Sequence, residues 1–433
     1  MKIKTLRLQN FRRFDDFELE FDSQLTVLVA RNGAGKSSIL DGVAISLGQF
    51  LTRLPKVSGL SFKETDFQVD AEGRKPAFMR ISCLSENGIT WDRTEKRDQT
   101  QKTASQIPAA SGIKPLTDYV DGFIDAFNDG QPFELPIFAY YGTGRGVFEV
   151  PQRKRGFSKV FTRFDALQGA LESRTNFRGF VEYFYALEDI ESRKQKEARS
   201  FELEIPELVA IRRAVATMLP QFSNPRGAEP AGIKLDWKQD DGSSKTLRVE
   251  QLSDGYRTTL AMVMDIAARM AEANPDMPDP LLTQGVVMID EVDLHLHPGW
   301  QQTILLDLMR TFPNIQFIVS THSAQVVSSA KPESLRVIDW QGEQPEIIPV
   351  HFSEGAEAQQ VLLDVLGVGS ARVEALDIVQ KLKRYQQLVS DNNWDSSEAK
   401  KLRNELDKWG SEYEPELTRL DMDIRIKEWD QAQ

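Results

Sequence analysis

A loop of small residues around one lysine constrains this chain more than any other feature. The stretch Ala30 to Leu40, ARNGAGKSSIL, follows the apolar run LTVLVA and precedes residues with helical spacing. In the order strand, small-residue loop, helix, backbone N–H groups can turn inward and cradle phosphate oxygens. We therefore predict a phosphate-binding loop formed by Asn32, Gly33, Ala34, Gly35, Lys36, Ser37 and Ser38.

Two residues of this loop have predictable chemistry, and a third departs from the usual pattern. Lys36 would bring positive charge to the β- and γ-phosphates of a nucleotide, and the Ser37 hydroxyl can ligate Mg²⁺. The usual pattern, G-x-x-x-x-G-K-[ST], begins with glycine, whereas this chain has Ala30. The extra methyl group matters if the position needs a positive φ, where alanine is penalised.

The composition excludes several classes of protein. A chain of 433 residues allows two or three structural units. Its 53 Lys and Arg against 65 Asp and Glu give a net charge of −12, which argues against binding nucleic acid over the whole surface. The single Cys83 excludes a disulfide framework, and no apolar run is long enough to span a membrane. We expect a soluble cytoplasmic protein without membrane contact.

The pattern of apolar residues predicts an α/β fold. IKTLRLQNFRRF and FELEFDSQLTVLVA alternate as strands do, and two hairpins are predicted, with turns at Asn87–Gly88 and Asp241–Gly242. LPIFAYYGTGR, GVVMIDE and IQFIVSTHS are continuous apolar runs, typical of central strands buried on both faces. A polar loop is predicted over EKRDQTQKTASQIPAASGIKP, and residues 157–220 are predicted to be mostly helical.

Polar residues with possible chemistry follow two of the buried strands. Asp290 and Glu291 end GVVMIDE, where Asp290 could hold Mg²⁺ and Glu291 could polarise an attacking water. His322 follows IQFIVST and could hydrogen-bond a γ-phosphate and sense its loss. In LSDGYRTTL, Ser253 and Gly255 precede a helix whose N-terminus attracts anions.

The order of these motifs resembles that of ABC-type ATPases of the SMC/RecF kind, over residues 1 to about 350. The resemblance implies ATP and Mg²⁺ as cofactors, and an ATPase head with a central sheet, flanking helices and an antiparallel β subdomain. It implies that Lys36 and Ser37 bind the phosphates and Mg²⁺. By the same resemblance, Asp290 supports Mg²⁺ and Glu291 activates water.

The resemblance extends to further positions of the site. Asp293 would belong to the D-loop, and His322 would be the switch histidine. Ser253 and Gly255 would act on the nucleotide of a second subunit across a dimer of heads. The remaining implied positions are Asn10 and Arg12 near the adenine, and Gln68 as the metal-contacting residue of the Q-loop, with Asp66 as the alternative. The chain departs from the family pattern at Ala30, and at Asp254 in place of the first glycine of the signature.

The length of the insert indicates a branch of this family. The interval between Ser37 and Leu252 is too short for the long coiled-coil arms of SMC proteins. A compact head followed by AQQVLLDVLGVGSAR and EPELTRLDMDI resembles the PtuA family of bacterial Septu and retron-Septu anti-phage systems. That resemblance implies a regulatory ATPase, forming a homodimer or higher oligomer through its heads. It would control an HNH nuclease of the PtuB kind, with a retron reverse transcriptase and its msDNA as possible partners. Whether ATP is hydrolysed or only sensed stays open.

We expect four segments along the chain: 1–95 and 246–350 as the two parts of the ATPase head, 96–245 as an inserted loop, strand and helical lobe, and 351–433 as a helical partner-binding arm. The arm contains two amphipathic helices. Their apolar stripes would pack on each other or on the head, or would project and form a groove for a partner. These stripes are Leu376, Val379, Leu382, Tyr385 and Leu388 on the first helix, and Leu402, Leu406 and Trp409 on the second.

The sequence allows two alternative functions. One is a DNA-repair ATPase of RecF type, for which the basic run Arg153, Lys154 and Arg155 could contact DNA phosphates or, equally, an acidic partner. The other is an OLD-type nuclease, whose Toprim domain would use Glu354, Asp421 and Asp423 to bind metal. A Toprim domain needs alternating strands and helices, whereas the residues between these acids have the pattern of charged helices.

Overall fold

The computed structural model describes residues 1–146, 161–173, 177–229, 232–239 and 241–431. It contains two compact units, Met1–Val361 and Leu362–Gln433. Residues just beyond Val350 belong to the first unit, because the Ser353 hydroxyl donates to the Ala330 carbonyl at 2.7 Å and the Gly355 N–H donates to the Ser328 carbonyl at 2.8 Å. The finer division at residues 95, 245 and 350 stays a prediction.

The described residues form thirteen strands. They are β1 (Ile3–Phe11), β2 (Phe14–Glu20), β3 (Leu25–Ala30), β4 (Phe78–Ser85), β5 (Thr90–Lys96), β6 (Ile137–Tyr141), β7 (Phe222–Ala228), β8 (Gly232–Lys238), β9 (Ser244–Arg248), β10 (Gly285–Ile289), β11 (Ile315–Thr321), β12 (Leu335–Gln341) and β13 (Gln344–Ile348).

The same residues form thirteen α-helices. They are α1 (Lys36–Arg53), α2 (Gln101–Ser105), α3 (Lys114–Asn128), α4 (Arg178–Ala198), α5 (Pro206–Met218), α6 (Asp254–Ala273), α7 (Pro298–Gln301), α8 (Ile304–Thr311), α9 (Ala324–Val327), α10 (Ala358–Asp364), α11 (Asp377–Ser390), α12 (Ser397–Trp409) and α13 (Pro415–Gln431). No helix among the described residues has the length and apolarity to cross a membrane.

The central sheet of the first unit has the strand order β13-β12-β3-β11-β10-β6. Five of its strands are parallel, and β13 pairs with β12 in the antiparallel direction. Every residue of β3, β6, β10 and β11 is buried, as expected of strands covered on both faces. Parallel pairing brings the carboxyl ends of these four strands to one edge of the sheet, where ligands bind in open α/β sheets.

Two antiparallel sheets complete the first unit, with the orders β2-β1-β4-β5 and β7-β8-β9. They contain both predicted hairpins, and the turn glycines Gly88 and Gly242 have φ of 79° and 81°. The central-sheet prediction is therefore confirmed, as is the helical prediction for the described part of residues 157–220. The plain loop predicted before Pro115 was wrong over Gln101–Ser105, where the Thr100 side chain accepts from the Thr103 N–H and starts α2.

The second unit is a small bundle of α11, α12 and α13. Its buried side chains are Leu382, Tyr385, Leu388, Val389, Ala399, Leu406, Leu417 and Leu420. The two predicted amphipathic helices therefore pack on each other, together with a third helix whose role the two-helix prediction missed. Leu376 and Trp409, at the ends of the predicted stripes, are 51% and 41% exposed and lie outside this core.

Candidate nucleotide-binding site

The small-residue loop joins the end of β3 to the start of α1 and depends on glycine at two positions. Gly33 and Gly35 have φ of 74° and 107°, in the left-handed region that favours glycine. A Cβ added to Gly35 would lie 2.5 Å from the ring of Phe14, so this position has no room for any side chain. The loop therefore turns sharply into α1, leaving the helix N-terminus facing the edge of the sheet.

The departure at Ala30 has little structural consequence. Ala30 is the last residue of β3 and pairs with Ile338 of β12, so its backbone has the extended geometry that alanine adopts without penalty. Its carbonyl accepts a hydrogen bond from the Lys36 ammonium at 3.0 Å. The extra methyl group therefore leaves the lysine in place.

Lys36 reaches back across the loop to the end of β11. Its Nζ lies 2.7 Å from Nε2 of His322. Burial lowers the pKa of the Lys36 ammonium, although the nearby carboxylates of Asp290, Glu291 and Asp293 oppose this. Burial and then the charge of Lys36 lower the pKa of the His322 imidazole. The lowered pKa of His322 favours the neutral imidazole, whose Nε2 can accept a hydrogen bond from the Lys36 ammonium.

Asp290 is buried at the end of β10 and is held by two hydroxyl groups. Ser37 Oγ donates to its Oδ2 at 2.8 Å, and Ser320 Oγ donates to its Oδ1 at 2.5 Å. Carboxylate and hydroxyl oxygens placed side by side are ligands that Mg²⁺ accepts when phosphates and water complete its shell. The residues present therefore fit the metal ion that the family resemblance implies.

Glu291 has an unusual backbone for a residue with a side chain. Its φ is 50°, and its N–H donates to Ser320 Oγ at 2.8 Å. The next turn is held by Asp293, whose Oδ1 accepts from Thr321 Oγ1 at 2.5 Å. The acidic end of β10 is thus fixed to the end of β11 by two hydroxyl side chains.

These groups surround one open cleft of about 560 Å³. It is lined by Arg12, Arg13, Asn32, Gly33, Gly35, Lys36, Ser37, Ser38, Asp290, Glu291 and His322. The structure therefore brings together most of the sequence-predicted site residues, from three strand ends that are far apart in the chain.

Asn10 and Gln68 lie elsewhere, beside one another. The Gln68 N–H donates to the Asn10 carbonyl at 3.0 Å, and neither residue lines the cleft. Arg12, which lines the cleft, is bound to Asp66 at 3.0 Å and to Asp41 at 2.6 Å. Burial lowers the pKa of the Arg12 guanidinium, but these two carboxylates reverse the effect, so that the pKa is raised overall.

The signature residues Ser253 and Gly255 begin α6, also away from the cleft. Ser253 is the exposed N-cap of the helix, and within the described residues its hydroxyl makes no capping bond. Gly255 is buried, and a Cβ there would lie 2.4 Å from the carbonyl of His295. Gly255 is therefore needed for packing α6 against the turn after β10. Next to it, Arg257 binds Asp254 at 2.6 Å, which offsets the charge of that unusual signature residue.

Two arginines of the site were missed by sequence reasoning. The Arg13 guanidinium stacks on the Trp340 ring, 3.5 Å from its centroid, and donates to the Gly33 carbonyl. Arg145, just after β6, donates to the carbonyls of Asp290 and Glu291 at 2.5 and 2.6 Å. Its position was detectable in principle, because it follows a buried strand just as Asp290 and His322 do. The basic run Arg153, Lys154 and Arg155 lies outside the described residues.

The OLD-type alternative loses support from the structure. Residues 351–431, all of which the structure describes, contain helices and no strand. Asp421 lies on α13 and accepts from Arg403 Nη2 at 2.9 Å, while Asp423 lies on the same helix. The sheet of a Toprim domain is therefore absent from this part of the chain.

Comparisons with known proteins agree with this site. A family profile described as an AAA domain matches residues 5–218, and a second AAA-domain profile, whose description also names a Type IV toxin–antitoxin system, matches residues 156–328. The Vibrio cholerae protein named retron Vc95 probable ATPase is 25% identical over 93% of this chain and 86% of its own length. The Escherichia coli protein named retron Ec83 probable ATPase is 26% identical over 99% of this chain and 88% of its own length. The Septu protein PtuA of Bacillus mycoides is 42% identical over a shorter region, 18% of this chain and 10% of the PtuA chain.

The fold, the cleft and these comparisons show similarity to ATPases of the SMC/RecF kind. The chain is similar to the two retron proteins along almost its entire length, and to PtuA over a part.

Proposed function

We propose that this protein is a regulatory ATPase of an anti-phage defence complex, which dimerises around ATP and Mg²⁺ and controls an HNH nuclease. The observation that carries the proposal is the cleft in which Lys36, the Ser37–Asp290 pair and Glu291 meet. Similarity to retron ATPases and to PtuA supports the link to defence. A retron reverse transcriptase and its msDNA are further proposed partners.

In the proposed reaction, each side chain has a separate task. Lys36 and the loop N–H groups bind the phosphates, and Ser37 with Asp290 holds Mg²⁺. The metal ion would stabilise negative charge on the transferred phosphoryl group. The Glu291 carboxylate accepts a proton from the attacking water. His322 donates its remaining N–H to the γ-phosphate, and Lys36 fixes where its ring lies.

Dimerisation is proposed from the position of the signature helix. Ser253 presents an exposed hydroxyl at the N-terminus of α6, where a helix attracts anions. It does not line the cleft of its own chain, so its proposed contact with phosphate needs a second subunit. ATP with a hydrolysis-deficient variant should therefore shift the protein to a dimer in light scattering, and Ser253→Arg should prevent the shift.

We propose that the nuclease docks on the second unit. Its core is filled by its own helices, yet α13 carries an exposed apolar stripe of Met422, Ile426 and Trp429, each at least 58% exposed. We expect the double change Ile426→Ser and Trp429→Ser to abolish co-purification of the nuclease while ATP binding persists. Phe201→Ser, which removes a 92% exposed ring from the first unit, is the matched control.

The test of the whole proposal is affinity purification from the native host, combined with an ATPase assay with and without Mg²⁺. The proposal expects an HNH nuclease in the purified complex and Mg²⁺-dependent release of phosphate. A protein that purifies alone and whose hydrolysis is stimulated by DNA would instead be a DNA-repair ATPase of RecF type.

A further inference from the structure

Arg145 is a buried cation that touches the acidic end of β10 through the backbone. It lies in a short turn, Thr143–Gly146, directly after β6 and is only 5% exposed. β6 pairs with β10, and their last rung is the bond from the Asp290 N–H to the Tyr141 carbonyl at 2.8 Å. Beyond the ends of β6 and β10, the side chain of Arg145 adds further hydrogen bonds between the two segments.

The donors of Arg145 go to carbonyl groups. Nη1 donates to the carbonyls of Gly142 and Asp290 at 3.1 and 2.5 Å, and Nη2 donates to the Glu291 carbonyl at 2.6 Å. Burial lowers the pKa of Arg145, while the charges of Asp290, Asp293 and Glu291 oppose that effect. The arginine thus lies close to three carboxylates and donates its hydrogen bonds to backbone carbonyls instead of to the carboxylate oxygens.

The Glu291 backbone needs such support. A residue with a side chain at φ 50° is strained and persists only where its surroundings hold it. Its N–H is held by Ser320 Oγ, and its carbonyl accepts from Arg145 and from the Leu294 N–H at 2.9 Å, so both sides of the residue are fixed. The direction in which the Glu291 side chain leaves the backbone follows from this conformation.

The end of β6 and the residue that follows it are hydrogen-bonded to the segment 161–173. The Tyr140 N–H donates to the Ala170 carbonyl at 2.8 Å, and the Gly142 N–H donates to the Ser173 carbonyl at 3.0 Å. A Cβ at Gly142 would lie 2.7 Å from that same Ser173 oxygen, so the approach is close. A continuous set of hydrogen bonds therefore joins Ser173, Gly142, Arg145 and Glu291.

We infer that Arg145 is a positioning residue, which sets the Glu291 carboxylate for attack by water and couples its placement to the segment 161–173. The inference rests on the proposed hydrolysis and deepens it. A displacement of Ser173 would move Gly142 and, through Arg145, the carbonyl of Glu291. Hydrolysis could then be changed from the inserted region with ATP still bound.

The test compares Arg145→Ala, Arg145→Lys and Arg80→Ala in the full chain. Arg80 is the matched control, because it is also 5% exposed and its guanidinium also donates to backbone carbonyls, of Ala109 and Pro108, away from the acidic end of β10 and outside the segment 161–173. We expect Arg145→Ala to lower kcat about 100-fold, as misplaced reacting groups do, with the Kd for ATP changed less than about threefold. Arg145→Lys should recover part of kcat, and Arg80→Ala should leave kcat near wild type.

Hydrogen exchange of residues 290–294 separates this inference from the proposed function. In Arg145→Ala these amides should exchange faster than in wild type and in Arg80→Ala, whether or not the wild type hydrolyses ATP. If the wild type is inactive, the proposed hydrolysis fails and the exchange result alone decides the positioning role. If Arg145→Ala is insoluble, Arg145→Lys is compared with wild type in both measurements. Unchanged kcat together with unchanged exchange in the soluble Arg145 variants would overturn the inference.

Discussion

Lys36 Nζ lies 2.7 Å from His322 Nε2, where the phosphate-binding loop meets the end of β11. The contact requires a neutral imidazole, because a protonated ring would repel the ammonium and lose its acceptor nitrogen. Burial and the charge of Lys36 both lower the His322 pKa, in agreement with this requirement. The same contact links the residue that binds phosphate to the residue that would sense it.

The His322 contact predicts a loss of stability in acid. The folded-state pKa of His322 lies below its ordinary value of about 6.5, so the unfolded chain binds more protons between the two values. Its contribution to stability is therefore complete above about pH 6.5 and is lost as pH falls through the folded-state pKa. Urea unfolding of the nucleotide-free protein across pH should show a smaller acid loss in His322→Gln than in wild type. The exposed His351→Gln is the control, and an identical loss in both variants would contradict the assignment.

Nucleotide binding should depend on Lys36. Its ammonium is the buried cation of the phosphate loop, and Lys36→Ala removes the charge while the glycines that shape the loop remain. We expect the folded variant to bind no ATP in calorimetry, whereas Lys4→Ala, which removes an exposed lysine of β1, binds normally. Wild-type affinity in a folded Lys36→Ala protein would exclude this cleft as the phosphate site.

Two glycines of the loop should differ in their tolerance of alanine. Gly33→Ala meets no atom within 4 Å and has only the left-handed backbone penalty, about 1 kcal/mol. Gly35→Ala has the same penalty and also meets the Phe14 ring, so the loss should reach about 3 kcal/mol. Denaturant unfolding measures both free energies. Equal losses would show that the loop moves away from Phe14 easily.

Restoring the usual glycine at Ala30 should bring no benefit. Ala30 has strand geometry and uses only its carbonyl to hold Lys36. Ala30→Gly is therefore expected to leave ATP affinity unchanged and to lower the unfolding free energy by about 1 kcal/mol, because glycine gains more freedom in the unfolded chain. A marked rise in affinity would show that the methyl group obstructs the nucleotide.

The sequence predicted those parts of the site that depend on short-range pattern. Strand, loop and helix around Lys36 lie within a few residues of one another, and the run before Asp290 shows directly that it is buried on both faces. Arg145 was missed because its partners are 145 and 146 residues away, and their meeting depends on β6 lying next to β10. Gln68 was chosen by motif order alone, whereas its backbone pairs with Asn10 outside the cleft.

In the second unit, too, the sequence predicted what depends on short-range pattern and missed contacts between distant residues. The spacing of apolar residues predicted α11 and α12, since helical periodicity is visible in a short window. The part played by α13 was not predicted, because Leu417 and Leu420 complete the core across a chain separation that periodicity does not report. The sequence left two arrangements open for α11 and α12, a packed pair or a projecting groove. The structure shows a third arrangement, in which they form a bundle with α13 that has its own core.

The central claim is that Glu291 activates water in a cleft that binds ATP, and Glu291→Gln tests it most directly. The amide keeps the size of the side chain but cannot accept the proton, so turnover should fall about 100-fold or more while ATP binding persists. Glu343→Gln, which removes an exposed charge from the turn between β12 and β13, should match wild type in both measurements. Under saturating ATP and Mg²⁺, Glu291→Gln should retain unhydrolysed ATP. Phosphate release by Glu291→Gln at the wild-type rate would contradict the account.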